Sequence, residues 1–409
     1  MIKKNFLYIA GGVGVFAISA LVFFQIFNVG SVFYDAKQVA GVESGVLPEE
    51  IPVVPHLKTP KPVRAIYMTQ CVVGTPSFRS ELVKLIDDTE LNAVIIDIKD
   101  YSGKLAFIPK DSKLKPSVSD KCRAGDMESF VKTLHEKDIY VIGRITVFQD
   151  PYYTAVHPEL AVKKASDGSV WKDHKGLSFI DVSARPFWDY IIDIAKESYA
   201  IGFDELNFDY VRFPSDGNMK DIYFPHGTGV LKAEALEDFF KYLSSALRPT
   251  GAALSVDLFG MTTTNTDDLN IGQVLERALP YFDYIAPMVY PSHYPRGFNG
   301  WANPNDHVYD VIRFSMDRAV ARAVAGTTSV PAEAHTRIGT TTPPVYEKPI
   351  YDKYALRPWL QDFDYGGDYD IPEVKAQIQA TYDAGLDSWM LWSPANKYTR
   401  GALLPVADN

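Results

Sequence analysis

Four carboxylates stand at the ends of short apolar runs: Asp97 and Asp100 in NAVIIDIKD, Asp209 in GFDELNFDYVRFP, and Asp257 in AALSVDLFG. In the second of these, residues 202–214, Glu205, Asn207 and Asp209 share one parity and Phe208 takes the other. A carboxylate on a buried strand face is costly unless it is paired or reached by water. Carboxylates gathered at strand ends beside aromatic residues suit glycoside hydrolysis. One acid protonates the leaving oxygen, and a second attacks carbon or activates water. Other chemistries lack their residues. The eight histidines show no His-x-His or His-x-x-x-His spacing and fall outside the strand-like runs, so no metal site is expected. Two cysteines exclude a cysteine-based zinc site, no Gly-x-Ser-x-Gly elbow occurs, and no pattern for a nucleotide cofactor is present.

Alternating segments must position these acids. Strand-like runs at 63–70, 92–100, 139–148, 204–210, 252–260, 281–291, 354–363 and 387–398 alternate with helical patterns. The helical patterns cover 77–90, 125–138, 185–202, 231–249, 270–280, 306–324 and 371–385, the first opened by a Ser cap. Eight such units predict a (β/α)8 TIM barrel over residues 63–409, with the site at the carboxyl ends of its strands. An open doubly wound sheet is the alternative, but TQCVVGTPSF after the first strand is no phosphate-binding loop. Strand parity then turns Asp97, Lys99, Arg144, Asn207, Asp209, Ser255, Asp257, Tyr290, Arg357, Trp359 and Trp392 inward, with Asp100 at the lip. The loops 149–184, with Trp171 and His174, and 325–353 are expected to shape specificity.

The chain of 409 residues carries net charge −10, which argues against nucleic acid as a partner. Lys3 and Lys4 precede an apolar run from Phe6 to Val29, long enough to cross ~30 Å of hydrocarbon. Residues 1–34 are therefore expected to be a signal anchor, a transmembrane helix with the remainder outside the cytoplasm; a cleaved signal peptide is the rival. The Pro- and Glu-rich stretch 35–62 is expected to be an extended linker. Cys71 and Cys122 are equally readable as one disulfide or two buried thiols.

FDELNFDYVRFP, SVDLFGM, YIAPMVYPSHYP, RPWLQDF and MLWSPANKY together resemble a family of glycoside-hydrolase-like barrels first catalogued as a domain of unknown function, common in exported bacterial proteins. The resemblance spans about residues 63–400 and implies a TIM-barrel glycosidase acting on a polysaccharide or oligosaccharide. The fourth strand is also similar to the chitinase pattern Phe-Asp-Gly-x-Asp-x-Asp-x-Glu. Phe203, Asp204 and Asp209 match it, whereas Glu205, Asn207 and Val211 depart, and Val211 stands where the acid belongs. The arrangement instead resembles barrels with a nucleophilic Asp on strand four and the acid on the next strand. That comparison makes Asp209 the nucleophile or base and Asp257 the acid, with Asp97 and Asp100 in reserve. Asn207, Arg212, Tyr290, Arg357, Trp359 and Trp392 are the expected substrate contacts, Arg212 also holding Asp209 ionised. A non-catalytic carbohydrate-binding or envelope scaffold is the alternative.

Overall fold

The computed structural model describes residues 55–406. The expected transmembrane helix, 1–34, and most of the linker lie outside them. Among the described residues no helix is long and apolar enough to cross a membrane.

Eight parallel strands close into a barrel: β1 Arg64–Met68, β2 Ala93–Lys99, β3 Tyr140–Thr146, β4 Glu205–Asp209, β5 Ala253–Phe259, β6 Tyr284–Met288, β7 Trp359–Gln361 and β8 Trp389–Trp392. Each pairs with its sequence neighbour, and β8 returns to β1 through Arg64–Trp389, Ala65–Met390 and Ile66–Leu391. The helices between them are α1 Pro76–Asp87, α2 Met127–His135, α3 Arg185–Ala200, α4 Lys232–Leu247, α5 Leu275–Ala278, α6 Val308–Val324 and α7 Ile371–Asp383. Each longer helix turns one apolar stripe to the barrel. In α3 that stripe is Phe187, Ile191, Ile194, Ala195 and Ser198, at the three- and four-residue steps of a helix face. Helix α1 starts at Pro76, so Ser77 falls in its first turn and caps nothing.

Two cores result. One lies between strands and helices, and the other fills the lumen with Ala65, Tyr67, Ile95, Ile142, Ala286, Trp359 and Met390. These alternate along their strands with the outward residues, as a closed parallel barrel requires. Parity fails once. The register of β2 shifts between Asp97 and Lys99, so Lys99 pairs with the outward-facing Ile145. Its ammonium leaves the lumen and meets Asp150 at 2.9 Å and the Thr146 carbonyl at 2.6 Å, all buried.

Residues 55–62 run across the floor of the barrel. Leu57 packs on the lumen core and donates its backbone N–H to Asp204 at 2.7 Å, and Thr59 bonds Tyr140 at 2.9 Å. The 325–353 loop carries a small antiparallel sheet, with Val345–Glu347 between Thr327–Thr328 and Thr336–Ile338. Cys71 and Cys122 form a disulfide that closes 51 residues of chain. Replacing both by Ser is expected to cost about 2–4 kcal/mol in urea unfolding, since the unfolded chain regains the entropy of an open loop. Unchanged stability would mean that the bond is absent.

Candidate active site

At the carboxyl end of the barrel, the Arg144 guanidinium joins three carboxylates. Its Nη1 donates to Asp97 at 2.7 Å, Nη2 pairs with Asp209, and Nε lies 3.6 Å from Asp257. Register explains the convergence: β2 Asp97 lies beside β3 Arg144, which lies beside β4 Asn207, which lies beside β5 Ser255. Asp209 and Asp257, each one inward step further up, reach the cavity above. A cavity of about 280 Å³ opens there, lined by Asp209, Asp257 and Arg144 together with Tyr290, Trp359 and Trp392. The sequence placed Arg144 among the inward residues, but its role as the hub arises only once three strands are in register.

Asp257 is held with particular care. Its Oδ1 accepts from Asn207 Nδ2 at 2.9 Å and from Trp359 Nε1 at 2.8 Å. A proton on this carboxyl therefore belongs on Oδ2, the oxygen on the Arg144 side. Burial, and next the neighbouring Asp209 charge, push the Asp257 carboxyl up to about 8, with Arg144 and the two N–H donors opposing. Its surroundings thus favour the protonated form of Asp257, beside the Asp209–Arg144 pair. The raised Asp257 carboxyl and the Arg144-paired Asp209 line one cleft.

Asp97 lies beneath the cavity. It accepts from the Tyr67 hydroxyl and from Arg144, and burial raises its carboxyl to about 6. It orients Arg144. Asp100 is not in the cleft; it turns back on its own loop, accepting from the Ser102 N–H at 2.9 Å and hydroxyl at 2.5 Å.

Two expected substrate contacts, Asn207 and Arg357, have other partners. Asn207, 1% exposed, bonds Asp257 and Ser255 and so positions the acid. Arg357 sits at the barrel floor, where it grips Glu205 through two bonds of 3.1 and 3.0 Å and covers the Tyr284 ring. It lies there because β7 starts at Trp359, five residues later than the expected 354, which leaves Arg357 one inward step below the strand. Arg212 lines the cavity but is not the charge partner of Asp209; Arg144 is. Trp359 and Tyr290 are in the cleft as expected, though Trp359 also fixes Asp257, and Tyr290 stacks on Trp392 with centroids 5.1 Å apart.

Sequence reasoning missed the wall formed by Phe259, Gly260, Met261, His293 and Tyr294, which follow β5 and β6. A Cβ on Gly260 would stand 2.5 Å from the Met288 carbonyl and 2.6 Å from the Tyr294 hydroxyl, so only glycine fits there. The motif SHYP after the sixth strand was the available signal. Immediately after Asp209, Tyr210 takes φ +52°, a left-handed turn that costs a non-glycine residue roughly 1–3 kcal/mol. It donates its N–H to Asp209 Oδ1 at 2.5 Å. In the 149–184 loop, Trp171 is buried against Phe179 and bonds the Asn218 carbonyl, while His174 is exposed beside Asp216.

Fold and site together define a TIM barrel with an acidic, aromatic-lined cleft of glycoside-hydrolase type. Residues 65–398 match the family described as "Putative glycosyl hydrolase domain", and the chain belongs to that family. Among solved structures it resembles the glycoside hydrolase domain of PgaB (BpsB) from Bordetella bronchiseptica, at TM-score 0.57 and 13% identity over 84% of this chain and 99% of that one. At that identity the likeness establishes the fold. A hypothetical protein from Ruminiclostridium thermocellum is 35% identical over 47% of this chain and 96% of that one, at TM-score 0.42. A chitinase from Chromobacterium violaceum is 12% identical over 83% and 96%, at TM-score 0.43. Among curated proteins no sequence matches.

Proposed function

We propose that this protein hydrolyses glycosidic bonds of an envelope or extracellular polysaccharide, with Asp257 as general acid and Asp209 as nucleophile or general base. The observation that carries this reading is the geometry of the two acids: Asp257 buried and held by Asn207 and Trp359, Asp209 paired with Arg144, both lining one cavity. In the reaction, Asp257 Oδ2 gives its proton to the glycosidic oxygen as the bond to the anomeric carbon breaks. Asp209 either bonds that carbon, and water whose proton passes to Asp257 then displaces it, or takes a proton from the water that attacks directly. Asn207 and Trp359 keep the acid's other oxygen occupied, so the proton is presented from one side. Tyr290 and Trp392 offer apolar ring surface to a sugar face. The sequence of residues 1–34 supports attachment to a membrane with the barrel outside, where the Cys71–Cys122 bond would persist.

The test is release of reducing ends from a panel of envelope and storage glycans by wild type, Asp209→Asn and Asp257→Asn. Cleavage by wild type alone supports the enzyme. Binding by all three with no cleavage by any identifies a carbohydrate-binding scaffold instead. The anomer formed first, read by proton NMR, assigns Asp209 as nucleophile or base.

The basic limb of the pH profile is a separate prediction. The raised carboxyl of Asp257 holds its proton below about 8 and loses it above, so kcat/KM is expected to fall as pH rises through about 8. That limb belongs to the coupled pair, not to one residue. A profile already falling at pH 5 would remove Asp257 from the acid's role.

A further inference from the structure

Beside the catalytic cavity lies a second, of about 360 Å³, bordered by Tyr101, Asp173, Lys175, Phe179 and Asp216. Tyr210 and Arg212 line both, so the two cavities adjoin across these side chains. Arg212 is the unusual member. Arg144 is committed to three carboxylates, whereas among the described residues no carboxylate pairs with Arg212. Its Nη1 donates to the Phe213 carbonyl at 3.2 Å and the Ser215 hydroxyl at 3.1 Å, which leaves Nε and Nη2 without a protein acceptor. Phe259 and Tyr210 hold the guanidinium from 4.9 and 5.1 Å. An arginine held between rings, lining a cavity with Nε and Nη2 free of protein acceptors, is organised for a planar carboxylate.

We propose that Arg212 binds the carboxylate of an acidic sugar unit next to the scissile bond, so that the substrate is a carboxylated glycan spanning both cavities. This rests on the glycosidase reading and names its substrate class. Burial disfavours a cation there, and Tyr210, Asp209, Asp173 and Asp216 oppose that through their charge without pairing with Arg212. Lys175 borders the same cavity and adds a second positive charge to a wall that Asp173 and Asp216 make acidic. Tyr101, 59% exposed at the far rim, offers a ring for the next sugar.

The experiment is affinity electrophoresis of the Asp257→Asn protein, with and without Arg212→Gln or Arg212→Lys. The gels contain polygalacturonate, hyaluronan, peptide-free peptidoglycan strands, carboxyl-reduced polygalacturonate or dextran. Retardation is expected with a carboxylated glycan and not with its reduced or neutral counterparts; which one retards separates uronate from lactyl carboxylate. Arg212→Gln is expected to weaken that binding about tenfold to a hundredfold, with Arg212→Lys recovering part. Equal binding of reduced and carboxylated forms, an unaffected Arg212→Gln, or no retardation by any carboxylated glycan overturns the proposal. Cleavage of a neutral glycan by wild type and by Arg212→Gln alike would overturn it while leaving the glycosidase reading intact.

Discussion

Asp257→Asn is expected to lower kcat on a natural glycan by about 10²- to 10⁴-fold, the range a positioned general acid supplies. The substitution is nearly isosteric. An Asn side-chain oxygen can still accept from Asn207 and Trp359 while its amide faces the Arg144 side, so the change removes the transferable proton with little else. An aryl glycoside with a dinitrophenolate leaving group needs no protonation, and the mutant should cleave it nearly as fast as wild type. Asp209→Asn should fail on both substrates, because no leaving group replaces an attacking carboxylate. Loss of activity on both substrates in Asp257→Asn would deny it the acid's role. Stability supplies an independent readout. The folded state holds this proton to about 8, whereas an ordinary carboxyl releases it near 3.8. The group's contribution is therefore fully present below pH ~4 and lost as pH rises through about 8. Asparagine does not titrate, so the mutant's melting temperature is expected to gain on wild type across that window.

The placement of Asp209 and Asp257 in one cleft was legible in the sequence because alternation on β4 and β5 is regular. Glu205, Asn207 and Asp209 on one strand, and Ser255 and Asp257 on the next, all point where parity sends them. What parity cannot supply is a change in its own count. The irregularity after Asp97 turns Lys99 out of the lumen, and nothing in VIIDIKD distinguishes that bulge from a straight strand. Nor does alternation give depth. Arg357 and Trp359 share a face, yet the first lies on the floor with Glu205 and the second beside the acid, because height depends on where pairing with β6 begins. The small sheet at 327–347 escaped notice for a different reason. Its strands are two or three residues long and largely exposed, too short to display a period.

The same groups recur as catalytic and as structural, and magnitude separates them. Asp209, Asp257 and Asp97 share Arg144 as their paired cation, and burial raises the carboxyls of two of the three. Glu205 has an arginine to itself and a tyrosine hydroxyl as well, at 3.1 Å. An under-compensated cluster is where chemistry belongs, and a saturated pair is architecture.

Arg357→Met tests that distinction. Glu205 and Arg357 are each 1% exposed, and methionine would keep the packing over Tyr284 while removing the charge. Glu205 would then be a buried carboxylate with Tyr140 as its remaining donor. Breaking a buried pair from one side is expected to cost about 3–5 kcal/mol in chemical unfolding. Adding Glu205→Gln should recover most of the loss, because the penalty lies in the stranded charge more than in the missing bond. KM for the folded Arg357→Met protein, assayed well below its melting temperature, should equal that of wild type. A raised KM with stability intact would return Arg357 to the substrate and remove the floor pair from the account of how the barrel tolerates Glu205.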